Sequence, residues 1–153
     1  MRAENVKLTL NKANPTGTDI EIAVAYDITF NRLERNLAQL GMNFRDVVEA
    51  FGIDPPGSTT GTRLHLVGEG KLDVPAVSSS AKLHREHKLI VSRASLNEDP
   101  GTLIPDDDEI RCRIRFLASG FPPASTEVFT NQEILREIGD TTPIGQSKQQ
   151  AAG

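Results

Sequence analysis

The side chains with most chemistry to offer lie between positions 97 and 116. Asn97, Glu98 and Asp99 close one segment, and Asp106, Asp107, Asp108 and Glu109 open the next. Oxygen donors brought together at the two ends of a connection suit calcium, which takes about six to eight of them. Asp99, Asp106 and Asp108 are the candidate ligands. The spacing is not that of an EF-hand, and aspartates ahead of a strand also serve as turn residues, so a solvated loop is the alternative.

Directly after these acids, "EIRCRIRF" sets Arg111, Arg113 and Arg115 at every second position. A period of two is that of a strand, so the three guanidinium groups share one face, about 7 Å apart, and Ile110, Cys112, Ile114 and Phe116 share the other. Three readings follow for the arginine row: pairing with acids across a sheet, contact with another subunit, or capture of phosphate. Cys112, set among core residues, reads as a small hydrophobe rather than a nucleophile.

The remaining candidates are few. His84 and His87 in "LHREH" would share a zinc only if a turn or helix brought them together, and a surface loop is the expected setting; His65 stands apart. There is no G-x-S-x-G, no H-E-x-x-H and no P-loop, and "GEGKLDV" lacks the spacing of a phosphate cradle. No catalytic residue and no cofactor is therefore expected.

At 153 residues the chain is the size of one domain, expected over 1–139, followed by a polar tail over 140–153 that is mobile unless a partner orders it. Hydrophobic residues make up 37%, with six Phe, one Tyr and no Trp, so the core rests on Leu, Ile and Val. The formal charge of −4 argues against a protein that coats nucleic acid. A single cysteine allows no intramolecular disulfide, and no apolar stretch is long enough to span a membrane. These features predict a soluble protein made in the cytoplasm.

The elements that must position these residues are mostly strands. "IEIAVAYDITF" alternates without a fault from Ile20 to Phe30, and the shorter "NVKLTL" before it is joined by the turn residues of "NKANPTG", which predicts a hairpin. "NRLERNLAQLG" places Leu33, Leu37 and Leu40 on one helical face and ends at Gly41. "NFRDVVEAFGID" reads as a second helix through Phe44, Val47, Val48 and Phe51, with a strand as the admissible alternative. The two together resemble the start of a helix-turn-helix, but "PPGSTTGT" cannot form the recognition helix that should follow. "TRLHLVG", "KLIVSRASL", "EIRCRIRFLA" and "STEVFTN" read as further strands, and "QEILREIGD" as a short last helix with Ile134, Leu135 and Ile138 on one side. The expected fold is mainly β: an antiparallel β-sandwich or small barrel with one or two short helices inserted.

In "RASLNEDPG", "DEIRCRIRF" and "STEVFTN", and in its general layout, the chain resembles the small β-sandwich structural proteins of tailed bacteriophages, such as head-decoration, neck or tail components. The resemblance implies a repeated virion subunit held by edge strands and extended termini, with no functional residue to carry over. The expected function is accordingly a non-enzymatic assembly protein whose partners are itself or other assembly subunits. Its contact residues would be Arg111, Arg113 and Arg115 and the apolar side chains Ile134, Leu135 and Ile138. The competing expectation is a calcium-assisted ligand-binding module.

Overall fold

A computed structural model describes residues 1–53, 61–79, 82–97, 109–120 and 125–135. The chain runs β1 (Arg2–Lys12), β2 (Asp19–Thr29), α1 (Arg32–Gln39), β3 (Asn43–Ile53), β4 (Thr62–Lys71), β5 (Leu83–Ser92), a single 3-10 turn (Arg93–Leu96), β6 (Glu109–Ser119) and β7 (Ser125–Ile134). The strands form two antiparallel sheets, β1-β2-β5 and β4-β3-β6-β7. The sheets pack face to face and approach each other at two seams, β1 beside β7 and β4 beside β5. They do not close into a barrel, so the sandwich is the form the chain adopts.

The core follows from the alternation. Ile20, Ile22, Val24, Tyr26 and Ile28 of β2 are fully buried and meet Ile110, Cys112, Ile114 and Phe116 of β6 from the opposite sheet, with Val6, Leu8 and Leu10 of β1 beside them. The β1–β2 hairpin turns where Gly17 adopts a positive φ of 70° and Asn14 donates to Thr18 and Asp19.

Helix α1 forms where its signals predict. The Asn31 side chain accepts from the Glu34 amide at 2.8 Å while the Glu34 carboxylate accepts from the Asn31 amide at 2.9 Å, a reciprocal capping box. The helix ends as Met42 N–H bonds back to Leu37 and Gly41 takes a φ of 98°, the left-handed stop that glycine tolerates. It carries the chain from one sheet to the other, and among the described residues no membrane-length apolar helix occurs.

One expected helix is a strand, and the described beginning of another is the end of a strand. Residues 43–53 form β3, paired on both sides by β4 and β6, which also removes the helix-turn-helix reading. Val47, Val48 and Phe51 favour a pleated surface, and two ladders of main-chain bonds outweigh a weak helical periodicity. At the other end Gln132, Glu133 and Ile134 extend β7 instead of starting a helix, and Leu135 enters the core of its own chain. Leu135 is therefore part of the packing rather than of an exposed apolar face. Ile138, the tail over 140–153, and Asp99, Asp106 and Asp108 lie outside the described residues.

Candidate functional site

Two polar constellations stand on the two faces of β3. Asp46 points into the core, fully buried, with Phe44, Val48 and Ala50 on the same face. Three donors from the opposite sheet converge on it. Tyr26 of β2 donates its hydroxyl to Oδ2 at 2.5 Å, His87 of β5 approaches the same oxygen through Nε2 at 2.9 Å, and Arg85 of β5 forks across the carboxylate with Nε at 2.9 Å and Nη2 at 3.1 Å.

The strand period explains the convergence. Arg85 and His87 are two residues apart and so share the inner face of β5, where Arg85 pairs in register with Tyr26. On β4 the positions beside them are glycines: a Cβ on Gly68 would stand 2.3 Å from the His87 ring, and one on Gly70 2.7 Å from Arg85 Nη2. The glycines of "GEGKL" leave room for an imidazole and a guanidinium.

Burial alone would raise the Asp46 pKa, but the hydrogen bonds from His87, Arg85 and Tyr26 together outweigh it and hold the carboxyl well below its usual range. The ionised carboxylate only accepts, so His87 Nε2 carries the hydrogen where it meets Asp46. Burial and the neighbouring Asp46 charge push the Tyr26 phenol far above its ordinary value. A phenol so held keeps its proton, and its hydroxyl serves as a fixed donor. The arrangement is a charged clasp between the sheets, capped on one side by Phe116, whose ring meets Tyr26 edge-on at 6.3 Å.

The outer face of the four-stranded sheet carries the second constellation. Glu49 of β3, only 3% exposed, receives Arg63 Nε at 3.0 Å, Arg113 Nη2 at 2.8 Å and Arg115 Nε at 3.2 Å, the last as an ion pair without hydrogen-bond alignment. Burial would raise its pKa, and the bond and charge of Arg113 with the charges of Arg115 and Arg63 prevail and lower it. The Arg113 guanidinium also lies 4.8 Å from the centre of the Phe51 ring, and Arg111 lies 5.9 Å from that of Phe129. Arg111, Arg113 and Arg115 thus do share the outer face, with Ile110, Cys112, Ile114 and Phe116 within.

The histidines are separated by the fold. His84 and His87 sit on a strand rather than in the expected loop, and three residues apart on a strand face opposite ways. His84 Nδ1 meets Asp27 at 2.8 Å on the outside, and His65 meets Ser95 at 2.9 Å. Among the described residues no three His, Cys, Asp or Glu side chains are gathered as metal ligands. Burial pushes the Cys112 thiol up to about 12.

Some apolar side chains remain in water. Leu33 (64% exposed) and Leu40 (83%) project from α1, whose Leu37 and Ala38 meet the core, and Leu66 (41%) stands beside Glu49 on the outer face of β4.

Asp46 and Glu49 escaped the sequence reading because they fell within a segment taken as a helix. The available signal was the match of R-x-H at 85 and 87 with G-x-G at 68 and 70, two strand-spaced pairs of large charged and minimal side chains. Comparison with protein-family models, with curated proteins and with solved structures finds no match for this chain.

Proposed function

We propose that this chain is a non-enzymatic assembly subunit, repeated in a larger particle as the structural proteins of tailed phages are, and that it makes contact through the outer face of the four-stranded sheet. The observation that carries the reading is the Glu49 cluster. A face that bears five arginines, two phenylalanine rings and a half-exposed leucine has the make-up of a protein contact surface, in which Arg and aromatic side chains are enriched. Glu49 anchors three of the guanidinium groups before any partner arrives, which lowers the ordering cost of association. The exposed Leu33 and Leu40 of α1 add a separate apolar prominence on a capped, rigid helix.

The test is molar mass in solution by size exclusion with light scattering over a wide range of protein concentration. An assembly larger than the 16.7 kDa chain is expected, weakened by Leu66→Glu, with the melting temperature of the variant close to that of the wild type. A wild-type chain that stays monomeric throughout overturns the reading. Removing the whole arginine row would be a poor test, because it would strip Glu49 of its counter-charges and damage the fold itself.

A further inference from the structure

Around Glu49 the outer face of the four-stranded sheet holds more positive charge than it neutralises, in a chain whose formal charge is −4. Arg45 is matched by Glu69, but Arg63, Arg113 and Arg115 share the single carboxylate of Glu49. Among the described residues Glu127 meets only Arg113, at 3.5 Å. The arginines reach Glu49 from both sides, Arg63 from β4 and the other two from β6, with β3 between. Each turns its Nε toward the carboxylate, Arg63 at 3.0 Å, Arg115 at 3.2 Å and Arg113 at 3.3 Å. A planar guanidinium that uses its Nε edge in this way keeps donors at its far end. Those of Arg63 and Arg115 make no hydrogen bond among the described residues. The Arg63 side chain is more than half exposed and that of Arg115 nearly a third, so solvent and any partner can reach them.

Like charges held this close repel, and an outside anion relieves them while accepting charge-assisted hydrogen bonds from the free ends. The neighbours of the arginines select the anion. Leu66, 41% exposed, stands opposite Glu49 on β4; the Phe51 ring centre lies 4.8 Å from the Arg113 guanidinium; and Phe129 pairs in register with Arg113 on β7. Inorganic phosphate gains nothing from a leucine and two rings, and Glu127 on the same face repels a long polyanion. A peptide that carries both carboxylates and apolar side chains is served by both kinds of group. We infer that the partner received on this face is an acidic peptide segment with apolar residues, its carboxylates accepting from the free ends of Arg63 and Arg115 and its apolar side chains packing on Leu66. The inference deepens the contact reading given above and rests on it only in taking this face as the contact surface.

The test is fluorescence anisotropy with a labelled, blocked peptide rich in glutamate and carrying two leucines, with circular dichroism melts to confirm that each variant folds. The wild type should hold it at least about tenfold more tightly than the same peptide with glutamine for glutamate, and severalfold more tightly than one with serine for leucine. Arg63→Gln, which leaves Glu49 its other two arginines, should weaken binding about fivefold or more. Leu66→Ser, at an exposed position, should also weaken it and serves if the first variant unfolds. Lys88→Gln, on the outer face of the other sheet, should leave binding unchanged. Equal binding of the glutamate and glutamine peptides, or a loss with Lys88→Gln as large as with Arg63→Gln, overturns the inference. Inorganic phosphate or heparin that binds more tightly than the peptide overturns it in favour of a phosphate or polyanion site. Where the chain assembles through this face, the peptide should also lower its molar mass. A chain that assembles and ignores the peptide keeps the assembly reading and loses this one, whereas a chain that binds the peptide and stays monomeric loses the assembly reading alone.

Discussion

His87 Nε2 stands 2.9 Å from Asp46 Oδ2, which joins β5 of one sheet to β3 of the other through the interior rather than around the edge. Tyr26 and Arg85 reach the same carboxylate, so three donors on two strands depend on a single acceptor. The energetics of a buried ion are lopsided: forming the cluster contributes modestly, but removing one member leaves the others uncompensated.

Replacing Asp46 by Ala should therefore destabilise the fold by about 3–5 kcal/mol, a fall in melting temperature on the order of 10 °C for a domain of this length. Tyr26→Phe removes one neutral donor to a charged acceptor and should cost less, about 2 kcal/mol. Thermal or urea melts of the two variants check the ranking. Equal losses would mean that the carboxylate is not the hub.

Stability should fall in acid with a definite sign. Asp46, Glu49 and Asp27 all have pKa values lowered in the folded chain, Asp46 most strongly. A lowered folded pKa contributes stability that is complete above the unfolded value, about 4, and is lost as the pH drops from there toward the folded value. Melting temperatures should be least sensitive to these carboxylates above about pH 5 and decline below about pH 4, and Asp46→Asn should flatten that decline. The check is a series of melts from pH 2 to 7 on both proteins.

The two glycines of β4 should not respond alike. An added methyl at Gly68 meets the His87 ring from Nδ1 to Cβ, so the whole imidazole must shift away from Asp46. At Gly70 the obstacle is the far end of Arg85, which can swing aside. Gly68→Ala is expected to cost about 1–3 kcal/mol, and Gly70→Ala distinctly less. Denaturant melts of the two variants, with the His87 ring followed by NMR, test the contrast.

Cys112 should be inert while the chain is folded. Its thiol is enclosed between the sheets, its pKa is pushed up to about 12 by burial, and the thiolate is the reactive form. A thiol reagent at pH 8 should label it only as fast as the protein opens, and at once in denaturant. Rapid labelling of the native protein would show that this seam of the core is open.

The strands with one purely apolar face were legible from the sequence. In β2 and β6 every second residue is Ile, Val, Tyr, Cys or Phe, because their inner faces are lined by apolar side chains, with the Tyr26 hydroxyl reaching Asp46. β3 was not legible because its two faces break the code in opposite directions. Its inner face includes the charged Asp46, and its outer face includes the buried Val47 and Glu49, so no period of two survives. What makes Asp46 acceptable inside lies about forty residues away, at Arg85 and His87, and a local pattern cannot carry that information. The arginine row was visible at once; its shared carboxylate, hidden in the same misread segment, was not.

At the seam between the sheets, the bulge that separates Arg111 from Arg113 along the β6–β7 pairing turns Asn131 toward β1. Its side-chain oxygen accepts from the Leu8 amide at 2.8 Å, and Thr130 beside it accepts from the Cys112 amide at 2.6 Å. One amide thus occupies a rung of the β1 ladder that a foreign strand would otherwise claim. The β1 edge is thereby spared, at Leu8, an invitation to zip edge to edge with another chain into an open-ended fibre, which side chains rather than backbone would otherwise have to prevent.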